Sequence, residues 1–397
     1  MNTRLFVMLA LLAGLAPLHA ANKKKAQELF EAAIEKARRN DAQGAIADLT
    51  ASLEADPKAY QSANYRGQIK QSQHDYEGAI ADFTLAMKIE PRFDAPYNNR
   101  GMCYDEIADW GKAMEDYNKA IAVNRRSNSA WNNRGVLKQK MRDMKGAIAD
   151  MNEAIRIKPT ALYYVNRGRV LGETGELAAA TEDLSKAIKL EPQDPSAYLE
   201  RGNVKAKGGD YFGAMLDYDQ ALKIAPNYSM ALNRRAIAKR FSGDFEGALK
   251  DFGRAMEISP QEPSLYNNRG LMLRQKGDLE AALADLNKAI ELKPKEALYY
   301  NSRGLVKRSR GDMQGAMVDS TKAIELDPTL ATAYADRAEA EMETKDFGKA
   351  RGDLNRALQL EPKNADFREA FKKLEAMAAG TWKPPATQPT PSFRMSD

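Results

Sequence analysis

Between Pro263 and Glu296 the chain reads PSLYNNRGLMLRQKGDLEAALADLNKAIELKPKE, and its apolar residues fall into two groups. Leu265, Tyr266, Leu271, Met272 and Leu273 form the first. Leu279, Ala282, Leu283, Leu286, Ala289 and Ile290 form the second, three and four residues apart as on one face of a helix. Gly277 between them suits a left-handed helix end, and Asp278 suits the cap of the next helix. Pro294 closes the segment. The pattern predicts two antiparallel helices joined by a tight turn.

The same pattern is written again and again. The steps along Pro57, Pro91, Pro159, Pro192, Pro226, Pro260, Pro294, Pro328 and Pro362 are one or two periods of 34, except 33 between Pro159 and Pro192. Ten units therefore occupy 26–364, one of them a residue short. With Pro263 as position 1, position 20 is alanine in every unit, from Ala45 to Ala350. Position 8 is mostly glycine (Gly67, Gly101, Gly135, Gly168, Gly202, Gly270, Gly304) and position 27 mostly alanine. Small residues at fixed places let two helices approach closely, while bulky ones such as Trp110, Tyr211 and Phe245 at position 17 fill the remaining space.

This arrangement resembles the tetratricopeptide repeat over about residues 26–364. The resemblance implies an all-α fold, a right-handed superhelical solenoid of antiparallel helix pairs whose first helices line a concave groove. The ends differ as ends of a stack should. Unit one has Ala33 in place of Gly and Ser52 in place of Ala. Residues 365–379 put Phe367, Phe371, Leu374 and Ala378 on one face, a capping helix. Residues 380–397, TWKPPATQPTPSFRMSD with the preceding Gly380, read as a proline-rich disordered tail.

Position 7 is arginine from unit two onward (Arg66 to Arg337) and position 23 is aspartate in all ten units (Asp48 to Asp353). A guanidinium fork matches a carboxylate, so pairing is expected. Unit one has Asp48 but no arginine, which suggests that each arginine meets the aspartate of the unit before it, as Arg66 with Asp48.

The resemblance places positions 5, 6 and 12 toward the groove. Position 5 holds Asn64, Asn98, Asn132, Asn233, Asn267 and Asn301; position 6 holds Asn99, Asn133, Asn166 and Asn268. An amide both donates and accepts, so it suits a peptide backbone without reading side chains. The position 6 row is similar to the asparagine ladder of O-GlcNAc transferase, though Tyr65, Glu200, Arg234, Ser302 and Asp336 interrupt it. The competing expectation is that these amides bridge neighbouring helices. Position 12 carries Arg240, Arg274 and Arg308 in later units, with Arg234 near, a place for an acidic segment or a terminal carboxylate.

Composition narrows the functional classes. The 397 residues are 43% hydrophobic and 29% charged, with formal net charge +5 and both signs interspersed. No basic stripe with interleaved aromatics favours nucleic acid. Residues 1–20 carry Arg4, the apolar run Leu5–Leu18 and a small residue at Ala20, the order of a signal peptide; residues 21–25 follow as a short basic linker. Export to the periplasm or outside the cell is thus expected, with no membrane span after cleavage. Cys103 is the only cysteine and shares its position with apolar residues, so a buried small hydrophobe is expected. His74 is the only histidine after residue 20. No zinc-ligand cluster, activated nucleophile or phosphate loop is present in the sequence, so no cofactor, metal or catalysis is expected. The sequence reads as a non-catalytic scaffold or adaptor that binds a protein or extended peptide in its groove. Its rivals are a self-assembling structural solenoid, a homo-oligomer, or an accessory subunit of a secretion or envelope-polymer machine.

Overall fold

The computed structural model describes residues 3–382, so most of the expected tail lies outside the described residues. Twenty-one helices follow one another, and no strand occurs among the described residues. The first helices of the repeats are α1 (Thr3–Arg38), α3 (Tyr60–Ser72), α5 (Asp94–Glu106), α7 (Asn128–Lys140), α9 (Ala161–Thr174), α11 (Pro195–Lys207), α13 (Ser229–Phe241), α15 (Pro263–Lys276), α17 (Ala297–Ser309) and α19 (Ala331–Glu343). The second helices are α2 (Ala42–Ala55), α4 (Tyr76–Ile89), α6 (Trp110–Val123), α8 (Met144–Ile157), α10 (Leu177–Leu190), α12 (Tyr211–Ile224), α14 (Phe245–Ile258), α16 (Leu279–Leu292), α18 (Met313–Leu326) and α20 (Phe347–Leu360). A last helix, α21 (Ala365–Ala378), follows. Residues 21–25, expected as a linker, lie inside α1.

The turn inside each hairpin has one recipe. A residue with positive φ ends the first helix, and in nine of the ten hairpins an aspartate then caps the second; in the fifth, Glu176 stands there and makes no side-chain cap. Asp41, Asp75, Asp109, Asp143, Asp210, Asp244, Asp278, Asp312 and Asp346 each accept a backbone N–H three residues on. Each such cap is worth about 1 kcal/mol. The positive-φ residue is Gly175, Gly209, Gly243, Gly277 or Gly311 in five turns, but Asn40, His74, Ala108, Arg142 and Lys345 in the others.

Within a hairpin the helices meet at the glycine of position 8. A Cβ on Gly67 would lie 2.7 Å from the Phe83 ring, and on Gly168 2.8 Å from Leu184. The position 20 and 27 alanines are buried, as are the large residues of position 24 such as Phe83, Tyr117 and Leu286. Ser52, which replaces alanine in unit one, is buried but satisfied through Ala26 O and Ser62 Oγ, both at 2.8 Å. Cys103 is fully buried, and burial pushes its thiol up to about 12, so it behaves as a hydrophobe. Phe367 and Leu374 of α21 complete the last core cluster with Met342, Leu354 and Ala357.

The chain divides into two compact bodies, one ending at Gly208 and one beginning at Gly209. Within the second, α13 packs on α15, α15 on α17, α17 on α19 and α19 on α21, while α14, α16 and α18 each pack between the first helices that flank them. Within the first, α3, α5, α7, α9 and α11 follow one another in the same way. Elements that touch at every step lie on the inside of a curved stack. The first helices therefore form the inner face of each body.

Candidate functional site: the polar inner face

The arginine–aspartate pairing is real, but its register differs from the expected one. Arg66 donates through Nε and Nη2 to Asp82, at 3.0 and 2.6 Å, within its own unit and not to Asp48 of the unit before. Arg100–Asp116, Arg134–Asp150, Arg167–Asp183, Arg235–Asp251, Arg269–Asp285, Arg303–Asp319 and Arg337–Asp353 repeat this two-point geometry. Hydrogen bonding to the aspartate raises the already high pKa of Arg100, Arg167 and Arg303. The link to the preceding unit exists but uses the remaining nitrogen. Nη1 reaches position 25 of that unit: Thr50, Thr84, Asn118, Asn152, Ser185, Asp219, Asn287 or Thr321. Unit one has Ala32 in place of the arginine, and Lys36 holds its Asp48 at 2.7 Å. Lysines at the same position 11, Lys70, Lys138, Lys239 and Lys307, add a third contact to their aspartates at 2.8 Å. These arginines are structural.

The asparagines of the first body are bonded to one another. Arg169 donates to Asn166 Oδ1 at 2.8 Å. An arginine can only donate, so Asn166 turns its oxygen to it and its NH2 onward. Asn166 donates to Asn132 (2.9 Å), Asn132 to Asn133 (3.2 Å), Asn133 to Asn98 (3.0 Å), Asn98 to Asn99 (3.3 Å) and Asn99 to Asn64 (3.2 Å). Six amides thus form one relay across units two to five, linking positions 5 and 6 of successive inner helices.

In the second body the relay is interrupted. Asn267 donates to Asn268 (3.4 Å) and Asn268 to Asn233 (3.2 Å). The next donor is missing, because position 6 of unit nine is Ser302, and buried Asn267 Oδ1 has no hydrogen-bond partner. At unit ten position 6 is Asp336, which can only accept. Asn301 therefore turns its NH2 to Asp336 (2.8 Å), leaving its own buried Oδ1 without a partner. Burial holds the Asp336 carboxyl up at about 6.

The charged residues follow the same division. In the first body Lys140 meets both oxygens of Asp105 at 2.8 Å, and Gln139 donates to Glu173 at 2.6 Å. In the second, Arg240, Arg274 and Arg308 stand at position 12 of three successive inner helices. Arg308 meets Glu339 at 2.7 Å and Arg274 donates to Ser309 at 3.3 Å. Arg240 is 8% exposed, its guanidinium lies 4.6 Å from the centre of the Phe241 ring, and its side chain has no hydrogen bond or ion pair among the described residues. Burial, then the nearby Arg274, pulls its pKa down to about 10. Arg234, half-buried on α13, also has a buried Nε without a partner. Among the described residues no group of histidine, cysteine or acidic side chains is placed to hold a metal ion, and no helix is long and apolar enough to cross a membrane.

Sequence reasoning missed three things. The position 25 acceptors are hydroxyl, amide or carboxylate in eight units, a column visible in the sequence. The position 11 lysines were legible in the same way. Glu341 takes that lysine position in unit ten and is 5% exposed beside Asp353.

Residues 168–209 and 270–307 match a model described as TPR repeat, and residues 95–127 and 129–160 match one described as tetratricopeptide repeat. The fold is similar to that of yeast Tom70, at 16% identity over 90% of this chain and 96% of that one, with a TM-score of 0.53. It is also similar to a tetratricopeptide repeat protein of Parabacteroides merdae, at 19% identity over 63% of this chain and 99% of that one, TM-score 0.51. No curated protein matches the chain in sequence. At these identities the likeness is one of fold. The matched residues are tetratricopeptide repeats, and the fold is an all-α array of antiparallel helix pairs like that of such proteins.

Proposed function

We propose that this protein is a non-catalytic, exported scaffold that binds a protein or extended peptide along its inner face. Tetratricopeptide arrays generally mediate contacts between proteins. One observation carries the reading further. On the inner helices of units seven to nine, buried Arg234 Nε, Arg240 Nε, Asn267 Oδ1, Asn301 Oδ1 and Arg308 Nε have no hydrogen-bond partner. Buried polar atoms left unpaired cost about 1–3 kcal/mol each. These include both donors and acceptors, and a polypeptide backbone supplies the complement of both. The first body, whose amides satisfy one another, then serves as the rigid part of the scaffold.

The test is to pan a displayed random-peptide library against the full chain and map the enriched peptides by hydrogen exchange. Protection of α13, α15 and α17 above that of α14, α16 and α18 is expected. Absence of enriched peptides, or protection confined to the second helices, would overturn the reading. Export rests on the apolar run Leu5–Leu18, and mass spectrometry of the protein from its native envelope or medium should find a first residue of Ala21.

A further inference from the structure

Four times in this molecule a position 6 amide donates to the position 5 amide of the unit before it: Asn99 to Asn64, Asn133 to Asn98, Asn166 to Asn132 and Asn268 to Asn233. Unit ten runs the other way. Asp336 holds its position 6, and Asn301 donates to Asp336 Oδ2 at 2.8 Å. The reversal follows from one missing proton. A carboxylate only accepts, so the amide turns its NH2 toward it; a carboxylic acid carries an O–H and can donate as an amide does. Protonation of Asp336 lets Asn301 turn over, accept that O–H through Oδ1, and carry its NH2 to the side where the oxygen lies now. That oxygen is buried and has no hydrogen-bond partner. One proton thus exchanges an unused acceptor for an unused donor.

The surroundings bring this exchange within reach of ordinary pH. Burial is the largest influence on Asp336 and raises its carboxyl to about 6. Arg308 of α17, the Asn301 bond and Arg274 of α15 favour the carboxylate, and Glu339 of α19 opposes it. Glu339 is itself shared by Arg308 at 2.7 Å and Lys373 of α21 at 3.4 Å. From α18 and α20, Thr321 and Asp353 bond to Arg337. The inner-face acids are peculiar to unit ten. Units seven to nine have none at positions 5, 6, 9 or 12, and Leu271 and Leu305 stand where unit ten has Glu339.

We propose that Asp336 is a proton switch on the inner face of the second body: its carboxylate makes Asn301 offer an acceptor to a peptide N–H, and its protonation in mild acid replaces that acceptor with a donor and releases the peptide. This rests on the peptide-binding reading above and supplies its regulation. Linkage is reciprocal, so a bound peptide should in turn keep Asp336 ionised to lower pH.

The test has two arms, both on the full chain. In the first, asparagine side-chain NH2 groups and aspartate carboxyls carry isotope labels, and NMR follows both from acid to neutral pH. The NH2 signals of Asn301, assigned by their loss in Asn301→Ser, should move with the Asp336 carboxyl. Asp336→Asn copies the protonated state, so in that variant Asn301 should keep its acid-side signals throughout. In the second arm, peptides enriched from the displayed library at neutral pH are measured by fluorescence at neutral pH and in mild acid. Affinity for the unsubstituted protein should fall in acid by at least about fivefold, the size of a lost hydrogen bond. Asp336→Asn should bind weakly and equally in both conditions, and Glu341→Gln, which removes the other raised carboxyl of α19, should keep the fall. Asn301 signals that do not follow Asp336 would overturn the switch without needing any variant to fold. A fall that survives in Asp336→Asn, or one that vanishes in Glu341→Gln, would overturn it in favour of another titrating group. Affinity that ignores pH while Asn301 turns would overturn the release step and leave peptide binding in place. A library that enriches nothing would overturn the broader function and this regulation together.

Discussion

In the body that ends at Gly208, six asparagines close on one another and the inner-face charges find partners in adjacent repeats. In the body that begins at Gly209 the same positions hold a relay cut at Ser302, an aspartate where the next amide should be, and a column of arginines of which Arg240 is buried with no side-chain hydrogen bond or ion pair among the described residues. Both bodies are built from the same hairpin, with the same capped turns and the same arginine–aspartate fork. The difference teaches that in a repeat fold stability and recognition separate by position number. Positions 7, 8, 20, 23 and 27 make the stack. Positions 5, 6, 9 and 12 face inward, where they either satisfy each other or leave something for a ligand.

The largest effect expected is on the shared fork. Arg167→Ala leaves Asp183 buried with no lysine at position 11, where Leu171 stands, and should cost about 3–5 kcal/mol. Arg269→Ala in the second body should cost about 1 kcal/mol less, because Gly253 at position 25 offers Arg269 no side-chain acceptor. Hydrogen exchange of the flanking helices measures both, and an equal cost would show that the Nη1 contact contributes nothing. Next comes Glu341. Burial first, and Asp353 second, raise its carboxyl from an ordinary 4.5 to about 7. The folded state therefore holds the proton more tightly than the unfolded one. Below pH 4.5 Glu341 carries no penalty; the penalty grows between 4.5 and 7 and is complete above 7. Glu341→Lys, which copies the Lys307–Asp319 pair, should stabilise by about 2 kcal/mol above pH 7 and lose its uncharged-state advantage below 4.5. Denaturant titrations at pH 4 and pH 8 test this; a gain independent of pH would refute the burial argument.

The relay can be cut or mended. Asn166→Ala should leave Asn132 Oδ1 without a donor and cost about 2 kcal/mol. Ser302→Asn should supply Asn267 Oδ1 with the donor it lacks, stabilise α15 and α17 by about 1 kcal/mol, and weaken peptide binding. If the added amide stabilised the second body without affecting peptide binding, the unpaired acceptor would have no part in recognition. The smallest effect concerns the turns. Ala108 has φ 60°, where most hairpins of the second body use glycine. Ala108→Gly should stabilise by up to about 1 kcal/mol, visible as slower exchange at the α5–α6 turn.

Much of this was legible in the sequence. Spacing alone placed the hairpins, because burying one face of each helix forces apolar residues into the same columns in every unit. The pairing of arginine with aspartate was legible as chemistry, but its register was not. Both Asp82 and Asp48 are plausible partners of Arg66 in one dimension, and only the helix crossing at Gly67 decides between them. The asparagine row was legible as amides facing one way. Whether they faced a ligand or each other depends on distances of about 3 Å between residues 34 or 35 apart in sequence, which periodicity does not encode. Arg240 shows the converse: what matters there is an acid that is missing from position 9 of the neighbouring repeat.

The arginine that reaches backward to position 25 also makes the repeats interchangeable. Excise residues 128–160, a whole unit, and Arg167 finds Asn118 where Asn152 had been, while Asn166 finds Asn98 in place of Asn132. Each joint is remade with the same chemical groups. A gene built this way can lengthen or shorten by whole repeats in its interior.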